Sequence, residues 1–165
     1  MPKPQTKITD KIENAYNYAV KGKYDYPAQM KAILRSYGNN QIRQIIINRQ
    51  PLSTFTNWLL QFGSGGEFFS KLRNSPYDKL FHLRSILVLD NGKRVQFDKT
   101  QSVRMVIFSG DMNSNGAEST EVSNVPQLTL SQIVENTRKL MGDDKFFIYS
   151  ASNNNCQDFL TGMLN

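Results

Sequence analysis

The stretch from Leu80 to Leu89 is apolar and rich in β-forming residues, and Asn91-Gly92 follows it directly. Asn-Gly between two apolar runs is the strongest short-range hairpin signal, because tight hairpin turns require positive φ at positions that these residues tolerate. Val95 to Asp98 reads as the returning strand. Val103, Met105 and Ile107 then alternate with polar residues, the pattern of a half-buried strand. The middle of the chain therefore predicts an antiparallel sheet that must bury one face.

The turn length decides which side chains share that face. A two-residue loop at Asn91-Gly92 puts Val95, Phe97 and Lys99 on the face of His82, with Gln101 directly opposite it. A three-residue loop, Asp90 to Gly92, puts Gln96 and Asp98 on that face and turns Val95 and Phe97 to the other. The second register is preferred because it separates polar from apolar residues.

The flanks read as helical. Asp10 with Glu13 forms a potential capping box, and Ile8, Ile12, Ala15, Tyr16, Ala19 and Val20 recur at helical spacing. Pro27 suits the start of a second helix and Gly38 its stop, with Ala28, Met30, Ile33, Leu34 and Tyr37 between. Ile42 to Ile47 is a short β-branched run that predicts a strand. Pro51 to Phe62 carries Phe55, Trp58, Leu59 and Phe62 on one helical face. Gly63-Ser64-Gly65-Gly66 breaks that pattern, and Phe68, Phe69 and Leu72 form another short stripe. These aromatics sit at burial spacing and read as core.

Ser109 to Gln127 is Gly/Ser/Asn/Glu-rich without apolar period and predicts one long mobile loop, either beside a functional site or as a tolerated insertion. Thr129 with Gln132 forms a capping box. Leu130, Ile133, Val134, Thr137, Leu140 and Met141 supply a buried stripe, and Gly142 ends the helix. Phe146 to Tyr149 reads as a short buried strand and Ser150 to Asn155 as a turn. A last helix begins near Cys156 with Phe159, Leu160, Met163 and Leu164 facing inward. The chain stops inside that helix without a clear C-cap, which reads as a fragment or a closely trimmed domain. Two regions result: a basic, mainly helical one over 1–75 and an α+β core over 76–165, forming one compact unit.

The 165 residues include one cysteine, Cys156, and one histidine, His82. That count excludes a disulfide framework and any all-cysteine or Cys/His zinc site. No glycine-rich phosphate loop or Gly-x-Ser-x-Gly elbow is present, so no cofactor and no metal is expected. No apolar run approaches the ~18 residues of a membrane span. The N-terminus lacks the apolar stretch of a signal peptide, which suits a reducing cytoplasmic, host-cell or virion setting. The whole net charge of +6 lies in residues 1–50, where nine Lys/Arg face three acids. Such asymmetry fits contact with nucleic acid or another anionic surface, or simply lysines that solvate small helices.

Cys156 has the most informative setting. Asn154 or Asn155 can cap the last helix, leaving Cys156 in its first turn. Helix N-termini are places where a cysteine becomes nucleophilic at neutral pH, and their amides can hold an oxyanion. A lone cysteine also fits a small buried hydrophobe. His82, on the strand, is the one imidazole that can serve as its base; a hydrogen-bonded core or surface histidine is the plainer alternative. A third polar group should orient the ring. Asp98 or Gln96 fits that role, with Gln101 as the fallback.

A histidine strand, a hairpin and then an Asn-Cys motif opening a helix resemble the circularly permuted papain-like superfamily (NlpC-type). Asn154-Asn155-Cys156-Gln157-Asp158-Phe159 is similar to the Asn-Cys-Glu-His-Phe motif of its lecithin–retinol acyltransferase-like branch, with Gln157-Asp158 in place of Glu-His. Phe81-His82-Leu83-Arg84-Ser85-Ile86 resembles the family's histidine strand. A second histidine often stands on the neighbouring strand there; this chain has Gln96 or Asp98 instead. The resemblance covers roughly residues 78–165, and the chain also looks similar to members encoded by large DNA viruses and mobile elements. It implies an antiparallel sheet packed on the cysteine helix. It also implies a thiol hydrolase or acyltransferase that acts on a peptide, amide or lipid acyl bond through a Cys156 thioester. Two other readings are an inactive binding or structural module working through residues 1–50, and a lipid-modifying enzyme docked on membranes by the same residues.

Overall fold

The computed structural model describes residues 24–51, 81–100, 102–148 and 156–165. Helix α1 (Ala28–Tyr37) leads into strand β1 (Ile42–Pro51). Strands β2 (Phe81–Leu89), β3 (Arg94–Lys99) and β4 (Val103–Ile107) follow as a meander, and β5 (Glu118–Glu121) returns to the far edge. Helices α2 (Leu130–Met141), α3 (Asp143–Phe147) and α4 (Cys156–Leu164) complete the chain. The class is α+β. The five strands form one antiparallel sheet in the order β4-β3-β2-β1-β5. The sheet thus draws strands from both sides of residue 75. Among the described residues no helix is long and apolar enough to cross a membrane.

The β2–β3 hairpin adopts the three-residue register. Ser85 pairs with Phe97, Ile86 with Gln96 and Leu87 with Val95, and the Leu89 amide donates to the Lys93 carbonyl at 2.8 Å. Gly92 sits at φ 80°, the left-handed region that the turn requires and a side chain would resist. The register splits the sheet by chemistry. Ile45, Leu87, Leu89, Val95, Phe97, Val103 and Met105 face the helices and form the core with Met30, Ile33, Leu130, Ile133, Val134, Phe159 and Leu160. The other face carries His82, Arg84, Gln96, Asp98 and Asn48, all buried. A bulge between Ile42 and Gln44 keeps Ile42 and Ile45, which no strict alternation would align, in the same core.

Phe97 lies at the centre of the core. Its ring meets Phe159 of α4 edge-on at 5.0 Å and Phe146 of α3 at 6.5 Å. Behind it, Lys99 is fully buried, with Nζ donating to the Lys145 carbonyl. Burial pushes its pKa down to about 7, against the pull of the Asp158 carboxylate.

Several expectations are corrected. Phe146 stands in a helix rather than a strand: Gly142 at φ 77° ends α2, and Asp143 and Asp144 open α3, where acids suit the N-terminal dipole. The stretch 109–127 is not one loop. It contains β5, paired to β1 from Ile46↔Glu121 to Arg49↔Glu118, after a 3₁₀ turn at Ser114–Gly116. All four β5 residues are exposed, so this edge strand has no apolar period by which to announce itself. β1 runs on through Pro51, which therefore ends a strand instead of starting a helix. Leu140 and Leu164, assigned to buried stripes, are 59% and 46% exposed. The Thr129–Gln132 capping box forms as expected, with the Gln132 amide donating to Thr129 Oγ1 at 3.2 Å and the Thr129 amide to Gln132 Oε1 at 2.9 Å. The helix from Ile8, the aromatic stripes over 55–72, Gly63 to Gly66, Gln101 and the Asn154/Asn155 cap lie outside the described residues.

Phe159→Ala is expected to lower stability by about 3–5 kcal/mol, because it empties a fully buried aromatic site between Phe97 and Phe146. Urea unfolding followed by circular dichroism measures this; a loss below about 1 kcal/mol would contradict the packing described.

Candidate active site

His82 is the second residue of β2, and Asp98 lies near the end of β3 on the same polar face. The imidazole Nε2 and the carboxylate Oδ2 are 3.0 Å apart. Asp98 is completely buried, yet its carboxyl is held down to about 2. Burial alone would raise it; the hydrogen bonds from His82 and Arg104, and then the charges of Arg104 and His82, outweigh that. An ionised carboxylate only accepts, so Nε2 carries the proton.

Asp98 also receives Gln96 Nε2 on Oδ2 at 2.8 Å, and the Arg104 fork, with Nε on Oδ1 at 3.0 Å and Nη2 on Oδ2 at 2.9 Å. Arg104 stands opposite Asp98 across the β3–β4 pair. The preferred register thus brings His82, Asp98 and Gln96 together. Asp98 is the group that touches the ring, and Gln96 supports Asp98. The alternative register that put Gln101 opposite His82 is not the one adopted.

The network continues across the sheet. Gln96 Oε1 accepts from Arg84 Nη1 at 3.3 Å, and Arg84 Nε donates to Asn48 Oδ1 at 2.6 Å. Because Arg84 only donates and Asp98 only accepts, the Gln96 amide has one satisfactory orientation between them. Asn48 in turn donates to the Met112 carbonyl at 2.7 Å and Ser119 Oγ at 3.0 Å. The guanidinium carbons of Arg84 and Arg94 lie 4.8 and 5.2 Å from the Phe108 ring centroid.

Cys156 opens α4 and is buried. It belongs to the first turn, whose amides have no intrahelical acceptor. Its side chain interacts with His82. Burial disfavours the charged imidazolium, but the hydrogen bond to Asp98 and the influence of the Asp98 and Cys156 side chains push His82 up to about 9. At neutral pH the ring is therefore an imidazolium between a carboxylate and a sulfur.

Sequence reasoning missed Arg104, Arg84 and Asn48. The signal for Arg104 was present: on a short β3–β4 connection it is the cation that pairs across from Asp98. Asn48 follows three isoleucines and shows only as a polar residue where a buried one was due.

A scan against protein-family models, a search of curated proteins and a search of solved structures found no match to this chain.

The two shifts make a signed prediction. Asp98 titrates at about 2 in the fold against an ordinary 3.8, so its stabilisation is complete above pH ~4 and is lost as pH falls through 2. Asp98→Asn should flatten that acid limb in urea midpoints measured from pH 2 to 5. On the alkaline side His82 loses its contribution as pH rises from 6.5 through 9. Lys99, displaced from 10.5 to about 7, is relieved of its burial cost from pH 7 upward. The two oppose each other, so the alkaline limb is expected to be shallow, and Lys99→Met should steepen its fall. An acid limb unchanged by Asp98→Asn, or an alkaline limb unchanged by Lys99→Met, would contradict these assignments.

Proposed function

We propose that this chain is a thiol hydrolase or acyltransferase of the permuted papain-like kind, acting on an amide, peptide or acyl-ester carbonyl. The observation that carries the reading is that the only cysteine and the only histidine of the sequence interact, on an imidazole whose far nitrogen is held by a buried carboxylate. The order in the chain, histidine strand before cysteine helix, and the antiparallel sheet on which that helix packs, agree with what the resemblance implies.

The chemistry follows from the geometry. Nε2 is committed to Asp98, which leaves Nδ1 to exchange the proton with sulfur. With His82 holding the proton as imidazolium, the sulfur attacks the carbonyl carbon as the thiolate of that pair, forming a C–S bond as the C=O π electrons move onto oxygen. Charge develops on the carbonyl oxygen, where the Cys156 amide at the start of α4 is a suitable donor. As the tetrahedral species collapses, the C–N or C–O bond breaks and His82 returns the proton to the leaving amine or alcohol. Water or an acceptor hydroxyl or amine, deprotonated by the same imidazole, then attacks the thioester and releases Cys156. Asp98 stays ionised throughout, stabilising the imidazolium and, when the ring is neutral, keeping the proton on Nε2.

The test is alkylation by a thiolate-selective probe read by mass spectrometry. Wild-type Cys156 should label about tenfold or more faster than a free thiol at neutral pH, and His82→Ala should remove most of that advantage. Labelling at the free-thiol rate, indifferent to His82→Ala, would overturn the catalytic reading.

A further inference from the structure

Asp98 places three donors on one oxygen. His82, Gln96 and Arg104 Nη2 all reach Oδ2, while Arg104 Nε is the one donor to Oδ1 among the described residues. A carboxylate held at a single oxygen can swing about its Cβ–Cγ bond. A planar guanidinium bound to both oxygens cannot follow that swing without breaking a bond. We infer that Arg104 is a positioning residue: its two-pronged contact sets the plane of Asp98, and through it the direction in which the His82 ring points toward Cys156. This rests on the catalytic reading above, to which it adds the residue that aims the base.

Two further observations support orientation over mere neutralisation. His82 already supplies a positive partner on Oδ2, so a second cation is not needed for charge balance alone. Arg104 also differs from the rest of the cluster in exposure: its side chain is 43% exposed, whereas those of Asp98 and His82 are 0% and 5%. The clamp therefore reaches in from the rim, and removing its side chain opens a site that a small planar cation can enter from solvent. A lysine can supply the charge there but only a point contact, not the fork.

The experiment compares Cys156 alkylation in wild type, Arg104→Lys and Arg104→Ala. Arg104→Lys should label about tenfold or more slower than wild type despite retaining the charge. Added guanidinium chloride, below denaturing concentration, should recover several-fold of the loss in Arg104→Ala, while methylammonium chloride at equal ionic strength should not. Arg104→Lys labelling within about twofold of wild type, or equal recovery by both salts, would overturn the inference. Should Arg104→Ala fail to fold, the proton on His82 Nε2 decides by NMR in Arg104→Lys. Bonded to Asp98 it should resonate far downfield in wild type and weaken or move upfield in the variant; an unchanged signal overturns the inference. Should wild-type Cys156 itself label no faster than a free thiol, the catalytic reading falls, and this resonance alone judges whether Arg104 orients the pair.

Discussion

The carboxylate of Asp98 organises one face of the sheet. A bare anion without solvent would be driven to take up a proton, at a cost of several kcal/mol. It stays ionised because four hydrogen bonds from three side chains surround it, two of those side chains cationic. The β2–β3 and β3–β4 registers have to be those observed for His82, Gln96 and Arg104 to converge on it. A slip of one residue in either ladder would send a partner into the apolar core. The site and the strand pairing therefore depend on each other: burying Asp98 requires the register, and the register delivers the imidazole to the cysteine.

The opposite face, the buried Lys99 apart, is filled by shape. Phe97, Phe146 and Phe159 interlock, and α4 packs there through Phe159, Leu160 and Met163. The helix bearing the sulfur is held by apolar contacts on one side of the sheet, while the imidazole is held by polar contacts on the other. His82 lies at the beginning of its strand, and the two meet there. The positions of the sulfur and of the imidazole thus rest on different forces, so a core mutation and a network mutation reach the same pair by independent routes.

The sequence made legible what local rules control. Asn91-Gly92, the alternation around Met105 and the Thr129–Gln132 box each encode their structure within a few residues, and the polar-against-apolar sorting of Gln96 and Asp98 from Val95 and Phe97 selected the correct register. What escaped was set by partners distant in the chain. β5 is polar on every residue and is a strand because β1 offers it an edge. Phe146 is as buried as a strand residue would be, but Gly142 and the two aspartates after it make a helical turn the cheaper way to bury it. Asn48 and Arg84 are legible only once β1 and β2 are known to be neighbours, since neither side chain has a reason to be buried without the other.

The strand order has a bearing on how the chain is made. β1 is synthesised first of the five strands, yet it pairs with β2 on one side and, on the other, with β5, the last to be made. The meander β2-β3-β4 closes through short turns and can assemble as soon as it emerges. β1, with its run of isoleucines, has to wait, exposed, for that meander to supply one edge and for β5 to supply the other. During that interval it presents two unpaired ladders, the condition under which nascent chains mispair or need a chaperone. The polar, exposed β5 is then the element whose arrival covers the second edge of β1, which gives a strand with no core residues a reason to exist.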